Sequence, residues 1–486
     1  MNAEVARTVR RCASRGPLVI RCLFFMTVLC GCVAPPGEKK AQDGAPGRAT
    51  RHPVSLTLIP PSPVTDRIVL DVRGAVRNDG EATRTFDVVF YLDKEDVSNR
   101  LHCVRVEVPA GSAGGVSFRW PTADHPGRHR ILLTATAVAR THRAERPLDI
   151  LRCPVRSTGR IGGAWVGLYH WSEEEGRLWN ADIRKMTDAD WRGLVRAMHE
   201  IGMDVIVLQE VFRNQAYVGK HTIERDGYRG KAFYPSRLCP DRMPIAARDP
   251  VEAILSEADA HGMSVFMGVG CYAWFDFTSG SLAWHKRVAD ELWERYGHHA
   301  SFYGWYVSEE IAGHLGTDDR RRRELVAFFR AFQAHCRAKA PDKPVMLATN
   351  CHRVRQGLDF YPDFLAHCDI LCPFGFHRMP ADDMTGQDVA RLLQRLCDEA
   401  GAHLWMDLEV FLFGSQRELY PRPISGLIKD LQQFGQFEKI LCYQFPGLLN
   451  APWAALKPGG EATVKLYQDY ARYIRVRAKN IGTIPD

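Results

Sequence analysis

No apolar run in the 486 residues reaches the roughly 18 to 20 that a membrane-spanning helix needs, which excludes an internal membrane domain. No CxxC pair and no metal-type Cys/His spacing occurs, so the 14 cysteines form neither a zinc module nor a redox motif. No G-x-S-x-G elbow is present, and a serine nucleophile on that framework is excluded with it. Basic blocks are scarce too. Arg320 to Arg323 is the longest Lys/Arg run, and behind Asp318-Asp319 it reads as the solvated face of a helix. The formal net charge of +7 misleads, because residues 1–31 set five arginines against Glu4 and so supply more than half of it. Nucleic acid is therefore not an expected partner. What is present, 45% hydrophobic and 25% charged residues, is an ordinary globular composition. The length suits two domains, or one large barrel with an appendage.

Residues 1–32 read as an address rather than as structure. Arg7 to Arg21 precede the short apolar run Cys22 to Leu29, and small residues follow at Cys30-Gly31-Cys32. That order is a secretory signal. Leu29-Cys30-Gly31-Cys32 resembles a bacterial lipobox, whose last Cys is lipidated and becomes the mature N-terminus. The resemblance implies an exported protein held at the membrane surface of the cell envelope by lipid on Cys32. A plain secretory signal is the alternative. Residues 33–53 are a polar, flexible tail. The ten cysteines beyond residue 32 are expected to be mostly free and buried. Cys103, Cys271, Cys368, Cys372 and Cys442 lie in apolar, strand-like runs, where Cys acts as a small core residue.

Residues 54–152 alternate as β-strands do: Val54 to Ile59, Ile68 to Val76, Thr85 to Leu92, His102 to Val108, Gly115 to Trp120 and His129 to Ala139. Turn signals such as Asn78-Asp79-Gly80 and Pro126-Gly127 separate them. Six or seven strands at this spacing predict an immunoglobulin-like sandwich. Val76 to Gly80, Phe86 to Tyr91, Pro109 to Gly111 and Phe118 to Trp120, taken in order, resemble CARDB-like adhesion modules, which implies a spacer.

From about residue 160 the pattern becomes α/β. Eight buried-type strands are read at Ala164–Tyr169, Asp204–Gln209, Ser264–Val269, Phe302–Val307, Val345–Thr349, Ile370–Phe374, Leu404–Leu408 and Lys439–Gln444, with amphipathic segments between them. Eight such units over residues 160–475 predict a (β/α)8 TIM barrel. A doubly wound sheet competes, but Gly162-Gly163 precedes the first strand instead of following it.

Barrel chemistry sits at the C-terminal ends of the strands. Those positions are rich in aromatics, which suit sugar faces, and they carry carboxylates after strands four and seven. Glycoside cleavage needs one carboxyl to protonate the leaving oxygen and another to attack or to activate water. Glu310 is the candidate acid/base, with Glu309 the runner-up, and Glu409 the candidate nucleophile or base. Asp407 reads as structural. Tyr169, Trp274, Trp305 and Tyr443 are candidate sugar platforms. Gln209, Asn350, His377 and Gln444 are candidates to bond sugar hydroxyls or to orient Glu409. Metal-dependent barrels usually pair two histidines on the first strand; here only His170 stands there, so no metal and no cofactor is expected.

These residues carry a family likeness. Trp191, Met198 to Asp204 and Val207 to Gln209, then Phe233 to Ser236 and Gly262 to Gly268, resemble a bacterial family of glycoside hydrolase-like barrels catalogued as domain of unknown function 4434. The likeness is strongest in Phe302 to Ile311 and returns in Trp405 to Phe411. It implies a carbohydrate substrate and matches Glu310 to the family's most recurrent Glu. Related barrel glycosidases often carry Asn where Glu309 stands. Two departures occur: Ser308 replaces a frequent Pro, and Phe374-Gly375-Phe376-His377 replaces a Gln-Asp-Gly-like turn at the substrate-facing rim. A non-catalytic carbohydrate-binding surface lipoprotein is the rival from another class, and a metal-dependent hydrolase of a non-sugar bond the third.

Overall fold

The first folded segment follows from strict alternation. In Arg84–Leu92 the apolar Phe86, Val88 and Phe90 are buried while Arg84, Thr85 and Asp87 face water, as a strand with one covered face requires. The computed structural model describes residues 52–138, 140–213, 230–270 and 275–480. Its N-terminal part is a two-sheet sandwich. Val54–Ile59, Val69–Arg77 and Ala113–Pro121 form a three-stranded antiparallel sheet. Val64–Thr65, Arg140–Leu151, Gly127–Ala137, Arg84–Leu92 and Arg100–Val108 form a second, five-stranded sheet. Leu56, Leu70, Val72, Phe90, Leu133 and Ile150 meet between them. A Cβ on Gly74 would lie 2.4 Å from Leu133, so only glycine lets the sheets approach there. The long strand Arg140–Leu151 is absent from the sequence reading because its first half is charged and only Leu148, Ile150 and Leu151 are buried.

Eight parallel strands then close into a barrel, and they are labelled here in chain order: β1 (Gly163–Val166), β2 (Val205–Leu208), β3 (Ser264–Gly268), β4 (Phe302–Ile311), β5 (Val345–Thr349), β6 (Ile370–Leu371), β7 (His403–Glu409) and β8 (Lys439–Tyr443). All eight predicted strands are present, and β8 pairs with β1 to close the ring. The helices between them carry ordinary start signals. Thr187 and Asp190 form a reciprocal capping box before Asp188–Glu200, and Asp249 caps Pro250–His261, each satisfying otherwise orphaned N–H groups. No described helix is long and apolar enough to cross a membrane. The nine described cysteines are free. Eight are buried as expected, but Cys103 is exposed, because it faces outward on an edge strand.

The sandwich, read as a spacer, is not tethered loosely. Residues 50–486 form one compact unit. Ile59 is fully buried among the barrel-interior residues Val205, Phe266, Tyr303, Trp405 and Leu441. The Tyr303 hydroxyl donates to the Leu58 carbonyl at 2.6 Å, and Lys439 Nζ donates to Pro61 O at 2.9 Å. These partners lie at the N-terminal starts of β4 and β8, so the sandwich floors the barrel and leaves the opposite end open.

Charges cross the same joint. Arg73 of the sandwich bridges Asp71 at 2.7 Å and Asp369 of the barrel at 2.8 Å, and all three are buried. Burial opposes a charge on Asp71, but His403 and Arg73 outweigh it and hold the carboxyl well below its usual range. Asp369 is lowered likewise, against burial, by Arg73 and Arg337. Because both folded-state values are depressed, this stabilisation is present above the ordinary carboxylate range. It is lost as pH falls through the depressed values. Arg73→Met removes the cation shared by two buried carboxylates, leaving Asp71 to His403 and Asp369 to Arg337. Urea denaturation should show a loss of about 3–5 kcal/mol at neutral pH, the usual cost of removing one partner of a buried pair. A loss below about 1 kcal/mol, the scale of an exposed pair, would contradict the proposed joint.

Candidate active site

Strand parity decides which side chains meet at the open end. A bulge where Phe266 pairs with Gly304 resets the register at the start of β4. From there Tyr306, Ser308 and Glu310 point into the barrel and line its cavity. Trp305 and Val307 point the other way into the helical layer. On β7, Trp405, Asp407 and Glu409 face inward, while Leu404, Met406 and Leu408 pack outward. Trp165 on β1 and Tyr443 on β8 complete the inner wall, with Gln209 just past β2.

The cavity has a volume of about 340 Å³, within the range of small-molecule sites. Trp165 and Tyr306 meet edge to face at 5.8 Å. A hairpin after β7, Phe411–Phe413 with Leu419–Pro421, adds Phe411, Phe413 and Arg417 at the mouth. Apolar ring faces with a few convergent polar groups fit a carbohydrate ring, which presents C–H faces and hydroxyl edges.

Glu310 and Glu409 share this cavity in opposite electrostatic settings. Burial raises the Glu310 carboxyl to about 8, and the nearby Glu175 and Glu409 reinforce the shift against Arg378. For Glu409 burial also opposes charge, but His377 and Arg378 overcome it and leave the carboxyl below its ordinary value. His377 Nδ1 lies 3.0 Å from Glu409 Oε2. Arg378 reaches Oε1 through Nε at 2.7 Å and through its terminal nitrogen at 2.6 Å. At neutral pH one carboxyl holds a proton and the other holds a charge.

Of the residues predicted from sequence, Glu310, Glu409, Gln209 and Tyr443 line the cavity. His377 reaches it through its 3.0 Å contact with Glu409, which makes it a partner of the carboxylate. Glu309 is fully buried and does not line the cavity. Trp305 as a sugar platform is corrected: it is fully buried against Phe302 and Trp293, on the opposite parity to Glu310. Tyr169 also lies outside the cavity, its hydroxyl tied to Glu173 and Arg184. Asn350 turns away to accept from the Gly313 and His352 N–H groups, both at 3.1 Å. Gln444 is buried and donates to Pro446 O. Trp274 and Cys32 lie outside the described residues.

The sequence reading missed Trp165 and Tyr306 and took Asp407 as structural; inward parity puts all three on the cavity wall. It also missed Glu175, Arg378 and Arg417, which arrive from loops and carry no periodic signal. Arg417 pairs with Glu175 at 3.4 Å, and Glu210 pairs with the fully buried Arg213.

Among the described residues one group has metal-site spacing, Glu252 with His298 and His299, and it lies outside this cavity. His299 is held between Asp259 at 2.6 Å and Glu252 at 3.1 Å. Burial works against its charge, but these carboxylates raise it to about 9. A protonated imidazole is a poor metal ligand, and the group is better described as an ion-pair cluster.

Comparison with solved structures finds chains of similar shape at low identity. A proposed α-L-fucosidase of Bacteroides thetaiotaomicron is 19% identical over 67% of this chain and 97% of its own, with a TM-score of 0.49. A Bacteroides uniformis β-glucuronidase is 13% identical over 87% of this chain and 50% of its own, with a TM-score of 0.40. A β-galacturonidase from Eisenbergiella tayi is 11% identical over 87% and 72%, with a TM-score of 0.37. No curated protein matches the chain. Residues 161–456, more than half of the chain and the whole of the barrel up to the last helix, match the family described as Domain of unknown function (DUF4434). The chain belongs to that family.

Proposed function

We propose that the barrel is a glycoside hydrolase that cleaves a glycosidic bond by a two-carboxylate mechanism. The retaining form is proposed by resemblance to the many retaining barrel glycosidases that carry the acid/base after strand four and the nucleophile on strand seven. One observation carries the reading: two carboxyls at the ends of β4 and β7 face one aromatic cavity, the first protonated at neutral pH and the second ionised. Paired carboxyls whose environments push their titrations apart make an acid and a base at the same pH. Glu310 gives its proton to the departing oxygen. Glu409 attacks the anomeric carbon, and the bond to the leaving group breaks as the glycosyl–Glu409 bond forms. Water, deprotonated by Glu310, then releases the sugar. Family membership supports the same class through the resemblance of Phe302 to Ile311.

The pH–rate profile tests this on a panel of para-nitrophenyl glycosides. Glu310 must hold its proton, so kcat/KM should fall as pH rises through about 8. Glu409 must be ionised, so the acid limb should lie below the ordinary carboxylate range. A plateau across neutrality is expected. A profile already falling between pH values of about 5 and 6 on the alkaline side would exclude Glu310 as the acid.

We infer further that the protein is exported and held at a membrane surface by lipid on Cys32. The signal pattern of residues 1–32 supports this. Cys32→Ala should move the protein from the membrane pellet to the soluble exported fraction. Unchanged pelleting would refute the anchor.

A further inference from the structure

We propose that Asp407 reads the substrate: its carboxyl, on the floor of the cavity, hydrogen-bonds a ring hydroxyl of a neutral sugar held between Glu310 and Glu409. This rests on the hydrolase reading and goes beyond it by naming the substrate class.

Asp407 lies two residues before Glu409 on the same inward face of β7, about 7 Å deeper along the strand. It is 4% exposed, and its Oδ1 is enclosed without a hydrogen-bond partner among the described residues. The other carboxyls of the cavity have a cation beside them: Arg378 for Glu409, Arg417 for Glu175, Arg213 for Glu210. Glu310 stands apart through its role as the acid. Buried polar groups nearly always have partners, because leaving one unpaired is costly. The observation at Asp407 is therefore an enclosed carboxyl to which the described residues supply no partner.

Its chemistry indicates that partner. Burial, with Glu409 and Glu310 nearby, pushes the Asp407 carboxyl well above its usual range. As a neutral acid it offers one O–H donor and one carbonyl acceptor, and a hydroxyl offers the complement. A uronic acid fits poorly here. Its carboxylate would face the charge of Glu409, and the two lining arginines of the described residues, Arg378 and Arg417, are both already paired.

The test uses the intact protein with para-nitrophenyl glycosides of neutral hexoses, the corresponding uronides, and mono-deoxy analogues of the best neutral substrate. Asp407→Ala should lower kcat/KM on the parent glycoside by about a hundredfold, and by less than about threefold on the one analogue lacking the contacted hydroxyl. Asp407→Asn should stay within about tenfold of wild type, since an amide also donates and accepts. Asp407→Ala should also melt at or above the wild-type temperature, because it removes an enclosed, unpaired carboxyl. A structural residue would lower the melting temperature in both variants and lose activity equally on every analogue; either result overturns the proposal, as does a uronide preferred over the neutral sugars. Glu310→Gln protein, titrated calorimetrically with the same glycosides, separates the two readings. Binding that Asp407→Ala weakens, without wild-type turnover, overturns the hydrolase and keeps the sugar-reading role. Neither binding nor turnover overturns both.

Discussion

Glu409→Gln is expected to lower kcat by about ten-thousand-fold or more on every glycoside the wild-type protein cleaves. The side chain keeps its shape and its place at the end of β7, and loses the charge that His377 and Arg378 maintain. Removing the attacking group of a covalent mechanism costs far more than removing a binding contact. The loss should not depend on the leaving group, because no leaving group compensates for a missing nucleophile. Some stability should go as well, since the Arg378 guanidinium, which reaches Oε1 through two of its nitrogens, loses the charge it pairs with. Circular dichroism and the melting temperature separate that effect from the kinetic one. Glu409→Gly with added azide should recover turnover as the glycosyl azide of opposite anomeric configuration, the azide taking the place of the carboxylate at the anomeric carbon. A Glu409 variant within tenfold of wild type in kcat would remove the residue from the chemistry.

Glu310→Gln should behave differently, because its proton is needed only where the leaving group is poor. On unactivated disaccharides or alkyl glycosides a loss of a hundred- to ten-thousand-fold is expected, the usual range for general acid catalysis. On a dinitrophenyl glycoside, whose phenolate leaves unaided, formation of the glycosyl-enzyme should slow by less than about tenfold. The alkaline limb near 8 should disappear with the carboxyl that produces it. Equal losses on good and poor leaving groups would show a scaffold role instead. Glu309→Gln should leave the leaving-group dependence intact, since that side chain does not line the cavity.

The barrel was legible because each of its strands is a short, continuous apolar run bounded by turn residues, and β5 was delimited to the residue. The period-two rule separates strand positions where aromatic character alone does not. Trp305 and Glu310 differ by an odd number of positions, so one regular strand cannot present both to the same cavity. Glu310 with Tyr306 and Ser308 is the consistent set, and so is Glu409 with Asp407 and Trp405. Of the partners that set the titrations, His377 was legible as a candidate to orient Glu409, and it lies 3.0 Å from that carboxylate. Arg378, Glu175 and Arg417 were not legible, because they come from loops and their approach to Glu409 and Glu310 depends on three-dimensional closure. The joint under the barrel was equally hidden. Asp71 and Asp369 are far apart in the chain and meet only through Arg73, a pairing with no local pattern to announce it.

The most direct measurement of the central claim is covalent trapping. Incubation with an activated deoxyfluoro glycoside of the preferred sugar, then peptide mass spectrometry, locates the carboxyl that bonds to the anomeric carbon. The account predicts one label per chain, on Glu409 in the peptide spanning Trp405 to Phe411, with none in Glu409→Gln. A label on Glu310, Asp407 or Glu309, or full turnover that never labels the protein, would contradict it.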